Sequence, residues 1–207
     1  MSHASDPAGA VAPARPFIPA DLSALDRPVL CVVIDTEEEF DWNAPFARGN
    51  ASVEALGWLG EGHRMFRRHG VQPTYLLDFP IATAARAPDV FGPWLAAGEC
   101  LVGTQLHPWV NPPFEEVVCP FHSFPCNLPP DLEQRKLAAL TAAVARALGE
   151  RPVIYKAGRY GLDLRRENFA GRLVIAQSSE DRHLHYKSFL VGLLLALQLQ
   201  GATLVPR

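Results

Sequence analysis

Apolar residues in this chain fall into short unbroken runs, separated by stretches with helical spacing. The clearest run, Val29 to Ile34, stops abruptly, and five of the seven residues from Asp35 to Asp41 are acidic. Short β-rich apolar runs without alternation predict strands buried on both faces, as in parallel sheets. A helix is then predicted from a Ser52 cap to about Arg68, with Gly70 as its stop signal. Leu56, Leu59, His63 and Phe66 share one face of it, so His63 reads as a core or rim residue. Pro73-Thr-Tyr-Leu-Leu is a second strand ending near Asp78, and Asp89 to Ala97 a short helix ended by Gly98. Glu99 to Val102 is a third strand. Asp131, with Gln134 as capping-box partner, opens a helix whose buried stripe is Leu137, Leu140, Val144 and Leu148. Gly149 ends it, and Val153-Ile-Tyr155 is a fourth strand. Strands alternating with helices predict an α/β fold, βα units around a parallel sheet or barrel.

Residues 108–130 break the pattern with seven prolines and the aromatic residues Trp109, Phe114, Phe121 and Phe124. A loop of this length inside a compact domain is usually functional, as a lid or groove wall. Residues 1–27, rich in Ala, Pro and Asp, read as a disordered leader. Beyond about Asp163, Arg172 to Ala176 is expected as a strand and Leu184 to Leu199 as an apolar helix. The longest apolar run, Phe189 to Leu199, is too short to span a bilayer. A helix apolar nearly all round needs burial by the rest of the chain or by a partner, which predicts self-association.

Composition narrows the classes. With 207 residues, 48% of them hydrophobic, the chain can bury one sizeable core. A net charge of −3 offers no footprint for nucleic acid or an anionic membrane. Cys31, Cys100, Cys119 and Cys126 lack zinc-site spacing and suggest no disulfide framework. Cys31 and Cys100, beside apolar runs, read as buried thiols. No charged region followed by a long apolar one marks a secretory signal, so a cytoplasmic location is expected.

Carboxylates crowded at a strand end repel one another unless a metal or buried cation compensates. Asp35 and Glu37 leave the strand first and are the candidate acids, whereas Glu38, Glu39 and Asp41 read as rim or solvent residues. Two further strand ends carry polar groups, Gln105 with His107, and Arg159. A parallel fold places such ends on one face. A carboxylate base, a metal held by carboxylate and imidazole, and an arginine to orient the base make a hydrolytic constellation. The strand-Asp-x-Glu opening also occurs in ribonuclease-H-like exonucleases, but the later His-x4-Asp or Tyr-x3-Asp that those need is missing.

Four segments together carry a family resemblance: Val-Val-Ile-Asp35-Thr-Glu37-Glu-Glu-Phe-Asp-Trp, Gly103-Thr-Gln-Leu-His107-Pro-Trp-Val-Asn-Pro-Pro, Ser123-Phe-Pro-Cys-Asn-Leu-Pro and Tyr155-Lys-Ala-Gly-Arg159-Tyr-Gly. Over about residues 29 to 163 the chain resembles the polysaccharide deacetylase superfamily (carbohydrate esterase family four and relatives), in its WalW-like branch. The resemblance implies an incomplete (β/α) barrel and metal-dependent removal of N- or O-acyl groups from an acetylated carbohydrate or related small-molecule amide. It makes Asp35 the catalytic base, Glu37 and His107 ligands of a divalent metal, zinc by expectation, and Arg159 the partner of the base. The family's second motif has two metal-binding histidines four apart. Gln105 and Trp109 stand there instead and, with Tyr160, are read as substrate-binding. The expected organisation is a leader over 1–27, a deacetylase-like domain over 28–163 and a divergent segment over 164–207. The alternatives are an inactive homologue that binds glycan and a fragment without activity.

Overall fold

The computed structural model describes residues 30–163 together with the short strands Leu173–Ile175 and Leu194–Leu195. In chain order the elements are β1 (Val33–Thr36), α1 (Leu59–Arg68), β2 (Thr74–Leu77), α2 (Phe79–Thr83), α3 (Ala87–Ala96), β3 (Leu101–Leu106), α4 (Pro130–Leu148), β4 (Ile154–Ala157), β5 (Leu173–Ile175) and β6 (Leu194–Leu195). They form one sheet in the order β1-β2-β3-β4-β5-β6. Neighbours are parallel from β1 to β5, and β6 pairs antiparallel with β5.

The α/β expectation holds, and the register divides the sheet chemically. Ile34 pairs with Tyr75 and Tyr75 with Val102, while Thr104 pairs with Tyr155. With side chains alternating across a strand, these residues face one side, together with Leu77, Leu106 and Ala157. That side carries the core, where they meet Ile81 and Ala82 of α2, Phe91 of α3, and Leu137, Leu140 and Val144 of α4. Leu59 and the α1 residue His63 reach the same side; His63 is buried, its Nδ1 2.9 Å from the Tyr75 hydroxyl, and stacks on Trp94, as expected of a core histidine. The opposite parity carries Asp35, Leu76, Gly103, Gln105 and Lys156, since Asp35 pairs with Leu76 and Gln105 with Lys156. Apolar residues cover one face, and the chemistry collects on the other.

Several local expectations are corrected. Ser52 caps no helix: its hydroxyl donates to the Glu39 carboxylate, which also accepts from Ala55 N–H at 2.7 Å, and α1 starts only at Leu59 after a 3₁₀ turn. Asp131 lies inside the first turn of α4 rather than at its cap, because Pro129 and Pro130 start the helix, and it pairs with Arg135. Cys31 is exposed, whereas Cys100 is buried as expected. β3 continues through Gln105 to Leu106, well past Val102, because its far end is paired with β4. α4 does end at Gly149, which supplies a left-handed cap at φ 76°. The leader over 1–27 and most of the expected helix over 184–199 lie outside the described residues; within that span Leu194–Leu195 is strand, not helix.

Candidate active site

His107 is the centre of the polar face. It follows β3 directly, is buried, and stacks on Trp109 with ring centroids 4.4 Å apart. Gly158, one residue past β4, lies against it. A Cβ at that glycine would sit 2.3 Å from the Leu106 carbonyl oxygen and 2.4 Å from His107 Cδ2, so only glycine lets β4 approach the imidazole.

The two ring nitrogens face different groups. Nδ1 is 2.8 Å from Glu38 Oε2. Nε2 lies 3.5 Å from Glu37 Oε2 and 3.3 Å from the Gln105 amide nitrogen, which itself donates to Glu37 Oε2 at 2.6 Å. Glu37 and His107, foreseen together, are thus brought together. Gln105 joins them; it is buried and engaged by both, and its Oε1 has no hydrogen-bond partner.

Glu38 corrects the sequence reading. It is buried rather than at the rim, because the chain turns after Thr36 and its N–H donates to Asp78 Oδ2 at 2.8 Å. Asp78, not singled out from sequence, is wholly buried and caps α2 by accepting from Ile81 N–H at 2.9 Å. Donor atoms of Glu38, Asp78 and His107 all lie within 4.8 Å of one another, and this buried group can hold a metal ion. Burial pushes the Glu38 carboxyl up to about 7, against hydrogen bonds that pull it down. Burial, then the neighbouring Glu38, raises Asp78 well above the carboxylate range. Burial also raises Glu37 and lowers His107, in each case against the attraction between the two. Two acids this close and this dry need a shared proton or a cation.

At the open end of β1, the Asp35 side chain is 38% exposed, and its Oδ2 accepts a hydrogen bond from Lys156 Nζ. Lys156, buried on β4, takes the role expected of Arg159. The reason is parity: Lys156 faces the acids, and Arg159 comes after the chain has left the strand. Arg159 donates instead to the Ser123 hydroxyl and lies over the Phe124, Phe46 and Trp42 rings at 4.1, 5.1 and 5.6 Å. Arg159 and Tyr160 both have left-handed backbones, at φ 53° and 59°. Consecutive strained residues of this kind persist only where their surroundings impose them, and they cluster at functional sites.

Trp109 is buried among His107, Phe40, Trp42 and Phe46, and it backs the imidazole. Tyr160 is exposed, with Lys156 Nζ 5.4 Å from its ring centroid. Glu39 and Asp41 are exposed, as expected; Asp41 closes a turn by accepting from Asn43 N–H at 2.9 Å. The proline-rich segment is pinned by ion pairs and by Arg159. Glu116 is held by Lys136 at 2.9 Å and by Arg48 at 3.2 Å, while Ser123 and Phe124 hold Arg159. Lys136, fully buried in α4, also donates to the Pro108 carbonyl at 3.0 Å, fixing the residue that follows His107.

Among the described residues no helix is long and apolar enough to cross a membrane. Comparison with family models, curated proteins and solved structures yields no match.

Proposed function

We propose that this protein is a metal-assisted hydrolase that removes an N- or O-acyl group from a carbohydrate, with a polysaccharide deacetylase-type barrel as its scaffold. One observation carries the reading: Glu37, Gln105 and His107 converge beside the Asp35–Lys156 pair on one sheet face. Three of the four segments that resemble the family supply these same residues. Strand order running in one direction, with the helices on one side, is what a (β/α) barrel needs.

A divalent cation fits the open side of His107. Glu37 Oε2 and His107 Nε2 lie 3.5 Å apart and would supply its carboxylate and imidazole ligands. Turning the Gln105 amide over, a choice that heavy-atom positions leave open, brings its unpartnered Oε1 into this set. Glu38 on Nδ1 supplies the carboxylate that commonly orients a ligating histidine. A carboxylate–imidazole–amide set suits zinc or a similar ion. The Glu38–Asp78 side is buried and closed to substrate, whereas Glu37 opens toward Asp35. When bound, the cation would polarise the acyl carbonyl and acidify water.

The chain's own residues do the rest. Lys156 fixes one oxygen of Asp35, and the exposed carboxylate takes the proton of an attacking water. Glu38 and Asp78 hold His107 in one orientation, and Trp109 prevents its ring from tilting. Acetate release from acetylated chito-oligosaccharides, with and without added zinc, tests the reading. A protein that binds the sugar and zinc but releases no acetate is a glycan-binding homologue.

A further inference from the structure

Two large aromatic side chains beside the site stay in solvent. Trp42 is 54% exposed and Tyr160 42%. Both are tied to β4 and the turn after it: Arg159 lies 5.6 Å from the Trp42 ring, and Lys156 lies 5.4 Å from the Tyr160 ring. Trp42 also meets Trp109, which stacks on His107, so the exposed ring is joined by packing to the centre of the site. The local backbone supports Tyr160 in this place at the expense of two consecutive left-handed residues. Tyr160 stands outside the core, and Trp42, which packs along one edge against Trp109 and Phe46, leaves more than half of its surface in solvent.

We infer that Trp42 and Tyr160 form a stacking platform for a pyranose ring of the substrate, and that Arg159 is the positioning residue that holds the platform together. The inference rests on the carbohydrate reading above. A pyranose presents apolar C–H faces and polar edges, so it gains from a flat aromatic surface that remains wet at its margins. Arg159 joins three segments: its own turn, the loop of Trp42 and Phe46, and Ser123-Phe124 of the proline-rich segment. A planar guanidinium can stack on several rings at once, and an ammonium cannot.

The test is binding of tetra-N-acetylchitotetraose to zinc-loaded full-length protein by calorimetry. Trp42→Ala and Tyr160→Ala should each weaken binding at least tenfold. Arg159→Met should do so as well, and Arg159→Lys should recover only part of the loss. Trp58→Ala, which removes a tryptophan 77% exposed outside the site, should bind as wild type does. Melting curves check that each variant is folded. Equal affinity in folded Trp42→Ala and Tyr160→Ala variants overturns the inference, as does a wild-type protein that does not bind the tetramer. Tight, platform-dependent binding without acetate release would leave the platform standing and remove the hydrolase.

Discussion

His107 Nδ1 lies 2.8 Å from the buried Glu38 carboxylate, and this contact turns Nε2 toward Glu37 and the open side of the sheet. The orientation of one imidazole therefore depends on an acid that itself hangs from Asp78. Glu38→Gln keeps the side-chain shape but gives up the charge that makes His107 a strong donor. Zinc affinity should fall about 10–100-fold, the usual worth of such an outer partner. Isothermal titration of metal-stripped protein measures it, and unchanged affinity would separate Glu38 from the metal.

Asp78 supports both α2 and Glu38, through Ile81 N–H and Glu38 N–H. Asp78→Ala leaves both buried donors unpaired and should cost about 2–6 kcal/mol, at about 1–3 kcal/mol for each buried donor left unsatisfied. Urea unfolding of the metal-free protein reads this directly. A loss below about 0.5 kcal/mol would mean that these bonds are replaced by water.

The same acids set a pH dependence. A Glu38 carboxyl held near 7 keeps its proton in the fold over a range where the unfolded chain, near 4.5, has released it. The folded state then binds more protons, so this contribution is complete below about 4.5 and is lost as pH rises toward 7. Asp78 is shifted in the same direction. Metal-free protein should therefore melt at a lower temperature at pH 8 than at pH 5, and Glu38→Gln should flatten the trend. A melting temperature that climbs over this range, equally in both proteins, contradicts the buried shared proton.

Gln105→His should strengthen zinc binding, because imidazole replaces a weak amide ligand on the Nε2 side. His107→Ala should abolish it. Zinc titrations identical to wild type in both variants would place the ion elsewhere.

Much of this was legible in the sequence, for identifiable reasons. Unbroken apolar runs located β1, β2 and β4, and helical phase put His63 in the core. Asp35, Glu37 and His107 stood out because polar residues at the end of an apolar strand are costly without a purpose. Glu38 was misread because it follows Glu37 at the parity that faces away; the chain's turn toward Asp78 reverses this, and that turn has no local signature. Asp78 did carry a signal, since it ends β2 as Asp35 sits near the end of β1. Lys156 carried one too, as a lone charge within the buried strand Ile154–Ala157. Arg159 drew its expected role from its place at the end of β4 and from the resemblance, whereas strand alternation favours Lys156.

The most direct measurement of the central claim is acetate release from tetra-N-acetylchitotetraose by metal-stripped protein, before and after one equivalent of zinc. Release should appear only with zinc, and Asp35→Asn should lower it by about two to four orders of magnitude without changing zinc affinity more than a few-fold. Stoichiometric zinc binding with no acetate, or release that proceeds equally in Asp35→Asn, would contradict a hydrolase built on Asp35 and His107.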